Sequence, residues 1–139
     1  MNIEEIIQCY LSRDLKELKG KVIGLVGSLG VGKTHFVRTF LEKISKEFKD
    51  HVNSPTYNLC HIYKSSLLEV HHFDLYRIES EEDLYDIGIL DSLEGGGLLV
   101  FIEWVDLFPM LENRCDEIIH IDMDDNNIRE YRIHSKATS

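Results

Sequence analysis

The sequence is short of several things, and each shortage closes off a class of protein. Its three cysteines, Cys9, Cys60 and Cys115, are far apart and odd in number. They form no C-x-x-C pair, which argues against a disulfide framework or a structural zinc site and suits reduced thiols in a cytosolic protein. Two prolines and no low-complexity tract leave no room for a long linker. No apolar run approaches ~18 residues, so no membrane-spanning helix is expected. The opening Met1-Asn2-Ile3-Glu4-Glu5 has neither the positive n-region nor the apolar h-region of a secretory signal.

Positive charge is missing from one long stretch. Between Ile78 and Asn113 there are ten acidic residues and no Lys or Arg. Residues 1–60 carry nine basic and seven acidic side chains, a net of +2; residues 61–139 carry six and eighteen, a net of −12. The two halves sum to the −10 of the whole chain. A face this acidic repels phosphate backbones, so direct nucleic-acid binding by the C-terminal part is not expected. A basic protein partner, or a merely solvated face, is compatible with it.

What is present is an ordinary globular composition, 43% hydrophobic and 29% charged, in a length that fits one domain over residues 1–139. Ile3, Ile6, Ile7, Tyr10, Leu11, Leu15 and Leu18 recur at helical steps and predict one helix over residues 3–18, capped by Asn2 and stopped by Gly20. Val22–Val26 reads as a strand buried on both faces, as in a parallel sheet. A helix is predicted over 33–48, and strands over 57–63 and 67–73 around a turn at Lys64-Ser65-Ser66. Ser80 with Asp83 resembles a capping box opening a helix over 81–87. An apolar strand at 98–102, a short helix near 105–112 and a hairpin of strands at 116–121 and 128–133 complete the pattern. Strands alternating with helices and ending in a hairpin imply an α/β sandwich with a mixed, partly parallel sheet.

The chemistry begins between the first strand and the second helix. Gly27-Ser28-Leu29-Gly30-Val31-Gly32-Lys33-Thr34 fits G-x-x-x-x-G-K-[ST]. Glycines let the backbone curl so that successive N–H groups face one phosphate, and the helix that follows aims its positive end at the same anion. Lys33 is placed to span the β- and γ-phosphates and the Thr34 hydroxyl to ligate Mg²⁺. By average residue usage such a match arises by chance in about half a percent of chains this long. The flanking strand and helix supply the context that chance would not.

A phosphate cradle also needs a metal-side carboxylate and a group to position water. Asp74 and Glu103 each follow a predicted strand, and strand C-termini converge on the ligand crevice of a parallel sheet. Either can bind Mg²⁺ directly or through water while the other orients the attacking water. His71, His72 and His61 invite a metal reading, but adjacent histidines on a strand point to opposite faces and cannot easily share an ion.

Four segments in order, GSLGVGKT (27–34), SPTYNL (54–59), HHFDLYR (71–77) with EEDLYDIG (81–88), and FIEW (101–104), resemble the TsaE (formerly YjeE) family, small P-loop ATPases of bacterial tRNA N6-threonylcarbamoyladenosine biosynthesis. The resemblance implies a P-loop NTPase-like three-layer sandwich that binds ATP with Mg²⁺ and hydrolyses it slowly in the cytoplasm. It implies action through the partners that transfer the threonylcarbamoyl group to adenosine 37 (TsaD/TsaB-like proteins), with tRNA touched only indirectly. By the same resemblance, Gly27 to Thr34 bind the nucleotide, Thr56 of a switch-like loop senses the γ-phosphate, Asp74 and Glu103 lie near Mg²⁺ and the attacking water, and Trp104 lies beside the site. Ser28 and Val31 stand where the family pattern usually has Asp and Ala, and Val105 where it commonly has Pro.

Other functions compete. A P-loop small-molecule kinase needs cations around its acceptor, and residues 78–113 have none. A switch GTPase would carry N-K-x-D and D-x-x-G, and neither is present. A nucleotide-gated binding module with negligible turnover uses the same residues as an ATPase and stays open at this stage.

Overall fold

Why the Gly-rich turn lands where three strands end is answered by the sheet. The computed structural model describes residues 1–44 and 60–135. Six strands, β1 (Val22–Val26), β2 (Cys60–Lys64), β3 (Glu69–Asp74), β4 (Leu98–Glu103), β5 (Glu117–Met123) and β6 (Arg129–Ser135), form one sheet in the order β2-β3-β4-β1-β5-β6. The central four, β3, β4, β1 and β5, are parallel; β2 and β6 are antiparallel edges. The unbroken apolar run of β1 fits its place inside the sheet, with both faces covered.

Helices cover both faces. On one lie α1 (Ile3–Leu11) and α3 (Lys33–Ile44), packing Ile6, Tyr10, Phe36 and Phe40 against Ile23, Leu25, Leu99 and Phe101. On the other lie α4 (Glu81–Asp86), α5 (Ile89–Glu94) and α6 (Pro109–Glu112), packing Leu84, Ile89 and Leu111 against Phe73, Val100 and Ile102. This is the three-layer mixed α/β arrangement the sequence implies. Phe40 meets Phe101 edge-on at 5.3 Å, and Phe36 lies between Phe40, Phe101 and Tyr131 at 5.9–6.3 Å. Each such aromatic pair adds about 0.5–1.5 kcal/mol to the area it buries. Together they pin α3 to the sheet and so fix the N-terminus that follows the Gly-rich turn.

The predicted helix over 3–18 is two helices. α1 starts with a reciprocal cap between Asn2 and Glu5 (2.8 and 2.9 Å) and ends at Leu11. A new N-cap at Asp14, whose Oδ1 accepts from the Lys16 amide at 3.2 Å, opens α2 (Leu15–Leu18). Between them Arg13 turns away to make a bidentate pair with Glu117 at 2.8 and 2.9 Å. The hydrophobic spacing survives the break, which is why it concealed it. α5 has no counterpart in the sequence reading, and the region near 105–112 resolves into a 3-10 turn, Val105–Leu107, and α6. The Ser80 hydroxyl caps α4 at 3.4 Å from the Asp83 amide. Ser65 closes the β2–β3 hairpin and Asp124 the β5–β6 hairpin, each accepting two backbone N–H bonds. Residues 45–48 of the predicted second helix, 57–59 of the predicted strand and Ser54-Pro55-Thr56 lie outside the described residues.

Candidate functional site

The Gly-rich turn leaves β1 and enters α3, and its glycines are there for different reasons. A Cβ at Gly27 would lie 2.7 Å from the Ile121 carbonyl oxygen, inside any tolerable contact. Gly32 has φ +108°, a region side chains rarely adopt, and Arg129 crowds the same spot at 3.0 Å. Val31 is buried and anchors the loop, whereas Ser28, Leu29 and Gly30 are exposed; Leu29 is 68% exposed.

Lys33 opens α3 and is buried. Its Nζ donates to the Gly27 and Ser28 carbonyls at 2.8 and 3.0 Å and sits 3.9 Å above the Trp104 ring. Burial pushes its pKa down, against the pull of Glu103, Asp74 and Asp106. Trp104 itself takes φ 63° as β4 turns into the following 3-10 segment, and its ring meets that of Tyr76 at 5.0 Å.

Register brings the carboxylates in. Asp74 and Glu103 are directly paired residues at the ends of β3 and β4. Glu103 is 3% exposed, and the Thr34 hydroxyl donates to its Oε2 at 2.7 Å. His72 Nε2 donates to the same oxygen. Burial works against the charge on Glu103, but the hydrogen bond and attraction of His72, then Thr34, then Lys33 outweigh it and hold the carboxyl below its usual range. Asp74 is half-buried, and its Oδ1 accepts from the Tyr76 amide at 3.1 Å. Lys33, Thr34, Asp74, Glu103 and Trp104 line one cleft of about 240 Å³ with part of the glycine loop. Among the described residues that is below the ~300–1,000 Å³ of pockets enclosing whole small molecules. What the arrangement offers chemically is an anion-binding helix terminus, one lysine, and three oxygen-bearing side chains of the hard donor type that divalent cations prefer.

Comparison with known proteins agrees with the order of these motifs. The family model for "Threonylcarbamoyl adenosine biosynthesis protein TsaE" matches residues 4–133. The chain belongs to the TsaE family. A relative from Rickettsia prowazekii, a tRNA threonylcarbamoyladenosine biosynthesis protein TsaE, is 34% identical over 83% of this chain and 78% of its own. One of the same name from Rickettsia felis is 38% identical over 65% of this chain, but over only 51% of its own length. The crystal structure of Bacillus subtilis YdiB shares the fold, with a TM-score of 0.60 and 24% identity over 97% of this chain and 81% of that one.

In this TsaE-family chain Leu29, Gly30, Gly32, Lys33, Thr34, Asp74, Glu103 and Trp104 gather around the cleft. Gly27 and Ser28 reach it only through the carbonyls that hold Lys33, Val31 is turned into the core, and Thr56 lies outside the described residues. Sequence reasoning missed two contributors. Arg129, on β6, donates from Nε to the Val31 carbonyl at 2.7 Å and braces the glycine loop from 98 residues away. His72 faces α3, and its bond to Glu103 depends on the β3–β4 register. His71 faces the other way and bonds Ser92 and Glu69, each at 2.7 Å. Alternation along a strand gave the opposite faces; nothing local gave the partners.

Proposed function

We propose that this chain binds Mg-ATP in the P-loop cleft, hydrolyses it slowly, and serves threonylcarbamoyladenosine formation at tRNA position 37 in the cytoplasm. It does so through the proteins that carry out the transfer, of TsaD/TsaB type. The family match and the names of the relatives support the pathway. The observation that carries the nucleotide reading is the 2.7 Å bond from Thr34 to Glu103, made beside Lys33 at the mouth of the glycine loop.

In this reading free amides of the glycine loop and the first turn of α3 donate to the phosphates, and Lys33 trades its two loop carbonyls for phosphate oxygens. The Thr34 hydroxyl, with one of Glu103 and Asp74, would hold Mg²⁺; their oxygens are the donors that ion takes. When bound, the ion neutralises charge on the phosphates as it builds. The carboxylate not committed to the ion orients water. The acidic, cation-free segment supports contact with proteins rather than tRNA: Glu79, Glu81, Glu82, Asp86, Asp91 and Glu94 are all exposed. No helix among the described residues is long and apolar enough to cross a membrane.

The test is hydrolysis by the purified protein, for ATP and GTP, with and without TsaD/TsaB-type partners. Slow ATP turnover that rises with partners is expected. Binding without any turnover under all conditions would reduce the chain to a nucleotide-gated module, and a preference for GTP would overturn the assignment.

A further inference from the structure

The buried histidine of β3 is a polar side chain where the fold needs none. His72 is 3% exposed, and Val70, two residues earlier on the same face, is fully buried in the core beneath α3. A residue serving only to fill space there would be apolar. Instead the ring spends Nε2 on Glu103 Oε2, while Nδ1 is buried with no hydrogen-bond partner among the described residues. An unpaired buried nitrogen is unfavourable and uncommon; keeping it makes sense only if the other nitrogen does something that matters. That other nitrogen meets the same oxygen that accepts the Thr34 hydroxyl. Two donors, one from β3 and one from α3, therefore fix the carboxylate from two sides. The His61 ring covers His72 at 5.8 Å and limits its swing.

We propose that His72 is a positioning residue for Glu103, holding the carboxylate in the orientation in which it and Thr34 jointly receive the divalent ion. This rests on the Mg-nucleotide reading above. Groups that orient metal-binding carboxylates from behind typically change metal affinity by 10- to 100-fold when removed. The ion-free phosphate grip belongs to the loop amides and Lys33, so it is unaffected.

Trp104, the single tryptophan, lies 3.9 Å from the Lys33 ammonium and reports on the site directly. The experiment titrates Mg²⁺ into the ADP complexes of wild type, His72→Phe, His72→Asn and His72→Gln, reading tryptophan fluorescence, with ATP turnover measured alongside. In His72→Phe the Mg²⁺ midpoint should rise about tenfold or more, with ADP affinity in EDTA within about threefold and the loss of turnover in kcat rather than KM. Glutamine, whose amide nitrogen reaches the position of Nε2, should restore most of the Mg²⁺ response; asparagine, which reaches only the position of Nδ1, should not. Should His72→Phe fail to fold, the glutamine–asparagine contrast decides alone. A Mg²⁺ midpoint within twofold of wild type in His72→Phe or His72→Asn overturns the proposal, as does equal impairment of the glutamine and asparagine variants. A wild type with no Mg-dependent response overturns the nucleotide reading as well, which separates the two failures.

Discussion

Replacing Glu103 by glutamine removes one negative charge and almost no volume, and the structure says which way the new amide will sit. Oε2 accepts from both Thr34 and His72. If the amide NH₂ took that place, the Thr34 hydroxyl would have to turn to accept from it and the buried His72 N–H would be left facing a donor, at about 1–3 kcal/mol. The amide oxygen therefore keeps the Thr34 and His72 bonds, and the NH₂ takes the place of Oε1. A charged acceptor is thereby replaced by a neutral donor. Losing one preorganised electrostatic contact in an active site costs about 10²–10³ in kcat, or roughly 2.7–4 kcal/mol. ADP binding in EDTA should be unchanged or slightly tighter, because a carboxylate near Lys33 no longer opposes the phosphates. Steady-state ATP hydrolysis, paired with ADP titration by Trp104 fluorescence, checks both parts. Turnover within threefold of wild type would remove Glu103 from the chemistry. A parallel collapse of ion-free ADP binding would make it a prop for the loop instead.

Three further outcomes are expected. Lys33→Ala should lose at least about 100-fold in nucleotide affinity, since a charge-assisted bond to phosphate is worth roughly 1.5–3 kcal/mol and the proposed cradle has Lys33 spanning two phosphates; equilibrium binding of ADP checks it, and retained affinity would count against the cradle. Arg13→Ala strands the buried Glu117 carboxylate and should cost about 2–3 kcal/mol at neutral pH, a little below the ~3–5 kcal/mol of fully buried pairs because Arg13 is partly exposed. Arg13 holds the Glu117 carboxyl below its usual range, so the pair's stabilisation is present above the unfolded carboxyl pKa and fades as pH falls through the lowered folded value. The melting-temperature gap between wild type and variant should therefore narrow toward acid, and a gap constant with pH would contradict the assignment. Charge reversal at Glu81, Glu82 and Asp86, all exposed on α4, should weaken binding to the transfer partners and flatten its salt dependence; unchanged affinity and salt slope would discount this face.

How far the molecule could be read in advance follows from the range over which each feature is determined. The glycine loop, β1 and the start of α3 form one contiguous stretch whose spacing carries its own geometry, so they were legible. Asp74 and Glu103 were placed by a general rule about where parallel strands end. Their direct pairing follows from the β3–β4 register, which no local pattern reveals. The break at Asp14 was hidden because the apolar spacing continues through it, and only the pull of Glu117 on Arg13, 104 residues away, shows why the chain turns. Arg129 and His72 were missed for the same reason. Each acts through a partner on another strand or loop, and as a residue type each has duller uses.

The acidity of the chain, which first seemed to set it against phosphate, fits the cleft once the sources of positive potential are separated. Only one cationic side chain, Lys33, lines the cleft among the described residues, and Glu103, Asp74 and Asp106 all act on it. The remaining attraction for an anion comes from backbone N–H groups and the α3 terminus, which carry no formal charge and do not appear in the count of −10. Such a cradle grips one phosphate chain at close range but offers little long-range attraction to a nucleic-acid backbone. In the proposed Mg-nucleotide reading, the carboxylates would repel a bare polyphosphate and would favour it only with a divalent cation held beside them. Nucleotide affinity should therefore be coupled to the metal ion more strongly than in a cleft rich in lysine and arginine. In that reading the coupling would be made at Glu103, the carboxylate that His72 and Thr34 hold in place.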